Sequence, residues 1–335
     1  MGCYCNTVKL IMKKLLYIAI VFGAVAALFY GYIYVRDFSG AKRKIPVIPA
    51  QKEREEVLST KFNYGSGEND FGLELSPLSD GIGGNRGPSA ITQDAAGNIY
   101  LSDLVNSRIK VLHPDFKLKL VYKTDKPLER IIADARGNIY GYGGGPGPVL
   151  FLYKYSPDGR MLGSAKIFDN VSASDPAEYR YRFGALILHK NKIYTVDPVS
   201  LRSYLIGETG DNFIAYPIAE SKSSDGIYGA SGRIYYSDGT ALQPGGFLEK
   251  REFLGEDKDG DVRVLSYTES PGGKILRYLI YKYNVAGIGS EQLWIDEKDS
   301  ILSASSANFS VDQSGDIVGF FIEKDGLTIR RWSAR

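Results

Sequence analysis

Cysteine, histidine, methionine and tryptophan are all scarce in this 335-residue chain, at two, two, three and two copies. Both cysteines, Cys3 and Cys5, precede the first hydrophobic segment. The rest of the chain can therefore build neither a disulfide framework nor a cysteine-ligated zinc site. With only His113 and His189, a histidine-rich metal centre or a histidine acid–base network has almost nothing to be made from. Excess charge is lacking as well: 41 Lys and Arg against 39 Asp and Glu leave +2, which removes any bulk electrostatic argument for nucleic-acid binding. No Gly-x-Ser-x-Gly nucleophile elbow occurs. What is present, 44% apolar and 24% charged residues, excludes global disorder, and 38 glycines with 24 tyrosines point to tight turns and aromatic-rich strands.

One long apolar run stands out. Residues 15–35, LLYIAIVFGAVAALFYGYIYV, carry no charge over 21 positions. As a helix they would span about 31 Å, close to the hydrocarbon thickness of a bilayer. The competing reading is a cleaved signal peptide, with Lys13 and Lys14 as its basic start and Ala24-Val25-Ala26 as its cleavage site. That site lies in mid-segment and would leave LFYGYIYV as an exposed apolar tail, which favours an uncleaved anchor. Lysines 9, 13 and 14 precede the run while Arg36, Lys42, Arg43 and Lys44 follow it, so the positive-inside rule favours neither orientation. A short N-terminal segment followed by a long domain behaves as a signal anchor, which places the domain outside the cytoplasm. The expected layout is a cytoplasmic segment 1–14, a transmembrane helix 15–35, a charged linker 36–58 and a folded domain 59–335.

That domain is expected to repeat. Residues 87–123 break into four short strands, 89–93, 98–102, 108–112 and 117–122, with Asp, Asn, Gly and Pro in the gaps where turn chemistry requires them. Asp134-Ala-Arg-Gly-Asn-Ile-Tyr140 matches Asp94-Ala-Ala-Gly-Asn-Ile-Tyr100 at a spacing of 40. Weaker copies of this turn-plus-strand follow, and the central apolar residues of the series fall at 99, 139, 193, 234, 262 and 317. Four-stranded units at such spacing predict an all-β fold, a six-bladed β-propeller of four-stranded antiparallel blades, because each small sheet buries both faces only between neighbouring blades. A strand at 60–64 is expected to complete the last blade beside 327–332.

The first copy, GPSAITQDAAGNIYLSDLVNSRIKVL, resembles an NHL repeat. It has the Gly-Pro entry, the Asp-x-x-Gly-Asn turn, an apolar-aromatic pair, Asp103, and then Asn106-x-Arg108-Ile109. The resemblance is strong over 85–125, fair over 128–167 and thin beyond, where the Asn-x-Arg element is missing. It implies a six-bladed propeller serving mostly as a binding surface and occasionally as an enzyme.

Aligning the copies on their second strands places one set of residues at the starts of the innermost strands, at the mouth of the central channel. Arg86, Glu129, Arg130, Arg182, Asp225, Glu252 and Asn308 are the ligand-binding candidates, because residues converging from several blades can grip a polar or anionic ligand. No catalytic residue is assigned and no cofactor is expected. The alternative is a propeller hydrolase or lactonase, which by resemblance would hold Ca²⁺ or Mg²⁺ in the channel through Glu129, Asp225 and Asn308. Asp257-Lys-Asp-Gly-Asp261 departs from an EF-hand loop and reads as an inter-strand turn. Gly143-Gly-Gly-Pro-Gly-Pro148 lacks a following helix and reads as a hairpin loop. His189 is expected at an exposed hairpin turn. Most tyrosines are expected to pack between blades, with Tyr142 placed in a loop. The function expected is that of a membrane-anchored, extracytoplasmic binding or scaffold propeller of the bacterial envelope. Its partners would be the membrane through its N-terminal helix, a protein, peptide or small polar ligand, and no nucleic acid.

Overall fold

The computed structural model describes residues 56–75, 86–144, 149–169, 186–189, 191–196, 203–218, 234–235, 241–242, 250–269, 275–283, 289–296 and 308–333. All lie in the compact unit Ala50–Arg335. The expected transmembrane helix 15–35 lies outside the described residues, and among the described residues no helix is long and apolar enough to cross a membrane.

Strand β1 (Glu56–Phe62) begins within the segment assigned to the linker. The first blade is β2 (Ala90–Gln93), β3 (Ile99–Asp103), β4 (Arg108–Leu112) and β5 (Leu118–Lys123). The second is β6 (Arg130–Ala133), β7 (Ile139–Gly144), β8 (Val149–Tyr155) and β9 (Met161–Asp169). The third is β10 (Leu186–His189), β11 (Lys192–Val196), β12 (Ser203–Glu208) and β13 (Ile214–Ala215). Among the described residues, strands β14 (Ile234–Tyr235) and β15 (Ala241–Leu242) form a two-stranded sheet. The fourth blade is β16 (Lys250–Glu256), β17 (Val262–Glu269), β18 (Ile275–Tyr283) and β19 (Gly289–Asp296). The fifth contains β20 (Phe309–Val311), β21 (Ile317–Glu323) and β22 (Gly326–Trp332), and β1 pairs with β22 as its outer strand. The closing strand is therefore supplied by the N-terminal side, as expected, with Thr60 opposite Ile329.

The number of blades departs from expectation. Among the described residues there are five four-stranded blades rather than six. The first strand of each blade touches the first strand of the next: β2 meets β6, β6 meets β10, β10 meets β16, β16 meets β20 and β20 meets β2. Among the described residues the ring closes without β14 and β15. A glycine turn beside apolar residues, as in Ser231-Gly-Arg-Ile-Tyr235, specifies a local hairpin. A blade needs two further strands, and among the described residues this ladder consists of Ile234 opposite Leu242 and Tyr235 opposite Ala241.

The turns that carry the repeat have a common construction. Asp94 Oδ1 accepts the backbone N–H groups of Ala96 and Asn98, each at 2.9 Å, and Oδ2 accepts Asn98 Nδ2 at 2.7 Å and the Tyr100 hydroxyl at 2.9 Å. Asp134, Asp257 and Asp312 accept the same pair of backbone groups in their own turns. Gly97 closes the first turn at φ +77°, a left-handed conformation that an L side chain resists.

Strand alternation then builds the seams. In β3, Ile99 and Leu101 pack with Val318, Phe320 and Ile329 of the fifth blade, whereas Tyr100 joins Ile131, Ile139 and Tyr155 of the second. In β7, Ile139 faces the first blade, while Tyr140 and Tyr142 face Ile193 and Ile206 of the third. Successive side chains point to opposite sheet faces and both faces are covered, so β2, β3 and β4 are buried throughout. Tyr142 lies within β7 and is buried, not in a loop, because the strand extends four residues beyond the repeat's central pair.

Candidate binding face at the starts of the innermost strands

Register fixes one layer across four blades. Ala90 lies opposite Ser102, Arg130 opposite Tyr142 and Glu252 opposite Leu265, in each case three residues beyond the first apolar residue of the second strand. Asn308, just ahead of β20, approaches the equivalent Phe320 through Nδ2 to the carbonyl at 3.5 Å. The structure thus brings Arg130, Glu252 and Asn308 to one level, with Glu129 one residue before. Glu252 is the third residue of β16 and not its start, since β16 begins at Lys250 and carries a bulge between Phe253 and Gly255.

The second blade's entry is the most tightly built part of this layer. Ser89 and Ser102 of the first blade both donate hydroxyl hydrogen bonds to the Leu128 carbonyl, at 2.9 and 2.6 Å. The Glu129 N–H donates to the Tyr142 carbonyl at 2.9 Å. Opposite this segment stand Gly141 and Gly143. A Cβ at 143 would fall 2.3 Å from the Pro127 carbonyl oxygen, and one at 141 would fall 2.9 Å from that of Arg130. Gly141 and Gly143 therefore permit close backbone approach, and β7 with β8 forms the expected hairpin.

On this backbone the partly buried Arg130 curls back, and its Nη1 donates to the Glu129 carbonyl at 2.8 Å. Its Nε is buried without a hydrogen-bond partner. Burial pushes the Tyr142 hydroxyl well above the usual tyrosine range, Arg130 pulls it back and Glu129 raises it again, so both charges reach this hydroxyl.

Other candidates fall elsewhere. Arg86 lies on the connection between β1 and β2, bridged by backbone hydrogen bonds to Glu74; the two side chains stand 3.9 Å apart and are exposed. Arg182 and Asp225 lie outside the described residues. Of the proposed metal set, Glu129 and Asn308 are described, and no group of three or more His, Cys, Asp or Glu among the described residues is arranged to hold a metal ion. The Asp257–Asp261 turn is an inter-strand turn, as expected. Its carboxylates face the protein's own cations: Lys282 Nζ lies 2.7 Å from Asp261, and Arg263 Nη1 lies 3.5 Å from Asp257.

Two polar assemblies are not foreseen from the local sequence. His189 is buried, not exposed, and its Nδ1 lies 2.8 Å from Glu256 Oε2, across the boundary between the third and fourth blades. The residue does sit at a hairpin, but the turn at Asn191 tucks the ring inward, where a long-range partner meets it. No local signal marks that pair. The second assembly is signalled by the Asp103, Asn106, Arg108 element, though its purpose is not. Arg108 Nε donates to Asp103 at 2.7 Å, and its Nη groups donate to the carbonyls of Ser66, Gly67 and Asp70 at 2.9, 2.9 and 2.6 Å. Asp103 also accepts the Gly72 N–H and Asn106 Nδ2. Lys110, fully buried, donates to the Glu68 and Asp70 carbonyls and lies 4.3 Å from the Phe71 ring centroid. In this chain the element holds down the strap that follows β1.

No protein-family model and no curated protein matches the chain. Among solved structures it is similar to a streptogramin B lyase, at 10% identity and a TM-score of 0.36, covering 84% of this chain and 100% of that one. It is similar to virginiamycin B lyase from Staphylococcus aureus, at 10% identity and a TM-score of 0.35, covering 83% and 99%. It is also similar to regucalcin, a calcium-binding protein from Agrobacterium tumefaciens, at 9% identity and a TM-score of 0.35, covering 74% and 91%. At these identities the activities in those names belong to those proteins.

Proposed function

We propose that this chain is a membrane-anchored binding propeller of NHL type. Residues 15–35 serve as an uncleaved anchor, the propeller lies outside the cytoplasm, and a protein, peptide or polar small molecule is recognised where the innermost strands begin. The observation that supports this reading is the entry of the second blade. Four hydrogen bonds and two glycines fix residues 127–131 there and hold one guanidinium with a donor unspent. Rigid support beneath a polar side chain is what a binding site requires, since the ordering cost is met before the ligand arrives.

The test is hydrogen exchange on the full chain in detergent, against a panel of peptides and polar metabolites. A binder is expected to protect amides at 89–91, 129–131 and 251–253. A panel whose binders protect only the outer strands β5, β9 or β19 would overturn the reading.

A further inference from the structure

We infer that Arg130 is a carboxylate anchor, so that the ligand of this face presents a single carboxylate to it. The inference rests on the binding-face reading above and names the chemistry of that site. With Nη1 spent on the carbonyl of Glu129 at 2.8 Å, the edge left to a ligand is the one bearing Nε and Nη2. Two parallel N–H groups on that edge match the two oxygens of a carboxylate. The resting side chain has a reason to engage: its Nε is buried with no partner, and a carboxylate that draws this edge outward satisfies it.

The surroundings select against more highly charged anions. At the same register the described neighbours are Ala90, Glu252 and Asn308, which bring no second cation. Glu129, adjacent in sequence, adds a negative charge close enough to act on the same Tyr142 hydroxyl as Arg130. One guanidinium among neighbouring carboxylates favours a monoanion over a phosphate dianion, which would meet repulsion with no second cation among the described neighbours to offset it. The entry is also fixed in place. Ser89 and Ser102 hold Leu128, and Gly143 can carry no Cβ without displacing Pro127.

The test is thermal unfolding of the full chain in detergent at constant ionic strength. The probes are N-acetylalanine, its neutral amide and inorganic phosphate, each added to wild type, Arg130→Gln and Arg130→Lys. N-acetylalanine is expected to raise the wild-type midpoint by about 2 °C at ten times its half-saturating concentration. The amide should be without effect, phosphate should act more weakly, and both variants should lose the response. Arg130→Lys keeps the charge but not the paired edge, so it also serves if the glutamine variant fails to fold. An inert N-acetylalanine, an equal shift with the amide or phosphate, or an undiminished shift in either variant overturns the assignment. If N-acetylalanine is inert while a panel member protects the amides at 129–131, the carboxylate assignment falls and the binding-face reading stands. If no panel member protects those amides, the binding-face reading itself fails.

Discussion

The seam that closes the ring and the seam between the third and fourth blades are held by different means. At closure, β1 pairs along β22, and the Tyr64 hydroxyl donates to the Glu323 and Gly326 carbonyls at 2.7 and 2.8 Å. The strap 63–72 is then pinned by Arg108 and Lys110 from the first blade. Between the third and fourth blades, β10 meets β16, and the described polar link is His189 with Glu256. Closure joins residues some 260 positions apart, as in Tyr64 with Glu323, so its loop entropy must be repaid by many specific bonds. The other seam joins blades that follow one another in the chain, and among the described residues fewer such bonds are seen there.

The sharpest way to break this comparison is Arg108→Ala. It leaves Asp103, fully buried, without its cation and removes the guanidinium donors to the Ser66, Gly67 and Asp70 carbonyls, of which Gly67 keeps the Asp70 N–H and Asp70 keeps Lys110. Breaking a buried pair from one side costs about 3–5 kcal/mol, to be read from urea unfolding. A loss below about 1 kcal/mol would mean that the strap does not hold the ring. His189→Ala at the other seam should cost less, about 1–2 kcal/mol for a lost buried hydrogen bond. If it costs more than Arg108→Ala, the asymmetry is reversed. Tyr64→Phe removes one hydroxyl bonded to two carbonyls and should cost about 1 kcal/mol. No change in the urea midpoint would place the closing bonds elsewhere.

The smallest effect is a pH dependence. Burial, then Arg108, lowers Lys110 from 10.5 to about 8. Above about pH 8 the folded chain sheds this proton while the unfolded chain keeps it, so the unfolded state binds more protons and stability rises with pH. Lys154, also lowered by burial, adds in the same direction. Above about pH 10 the trend reverses, because burial raises Tyr140 and Tyr155 to about 12 and their unfolded counterparts ionise first. Urea titrations from about pH 8 to about pH 9.5 should show the rise, and Lys110→Met should diminish it. A fall over that interval in wild type would contradict the burial of a charged lysine.

Legibility in the sequence followed the range of the interactions. The strand around Ile99 could be read within a residue and the start of the one at Ile139 located, because the Asp-x-x-Gly turn and period-two burial are local. The closing strand could be read too, since a ring whose first blade begins near Ala90 lacks one outer strand. The count of blades could not: Ile234 carries the same turn signal as Ile99, and whether two more strands follow is decided by β10 meeting β16. At the candidate site, Arg130, Glu252 and Asn308 came from register alone. The serines that support Leu128, the glycines behind it and the inward turn of His189 depend on contacts between blades, which leave no mark at any single position.

The five-bladed ring is the claim on which the layer of Arg130, Glu252 and Asn308 depends, and a double-mutant cycle on His189 and Glu256 tests it most directly. Contact at 2.8 Å predicts that His189→Ala, Glu256→Ala and the double variant are coupled by about 1–2 kcal/mol in urea unfolding. Additivity within about 0.3 kcal/mol would separate the two residues, put another blade between β10 and β16 and contradict the ring of five.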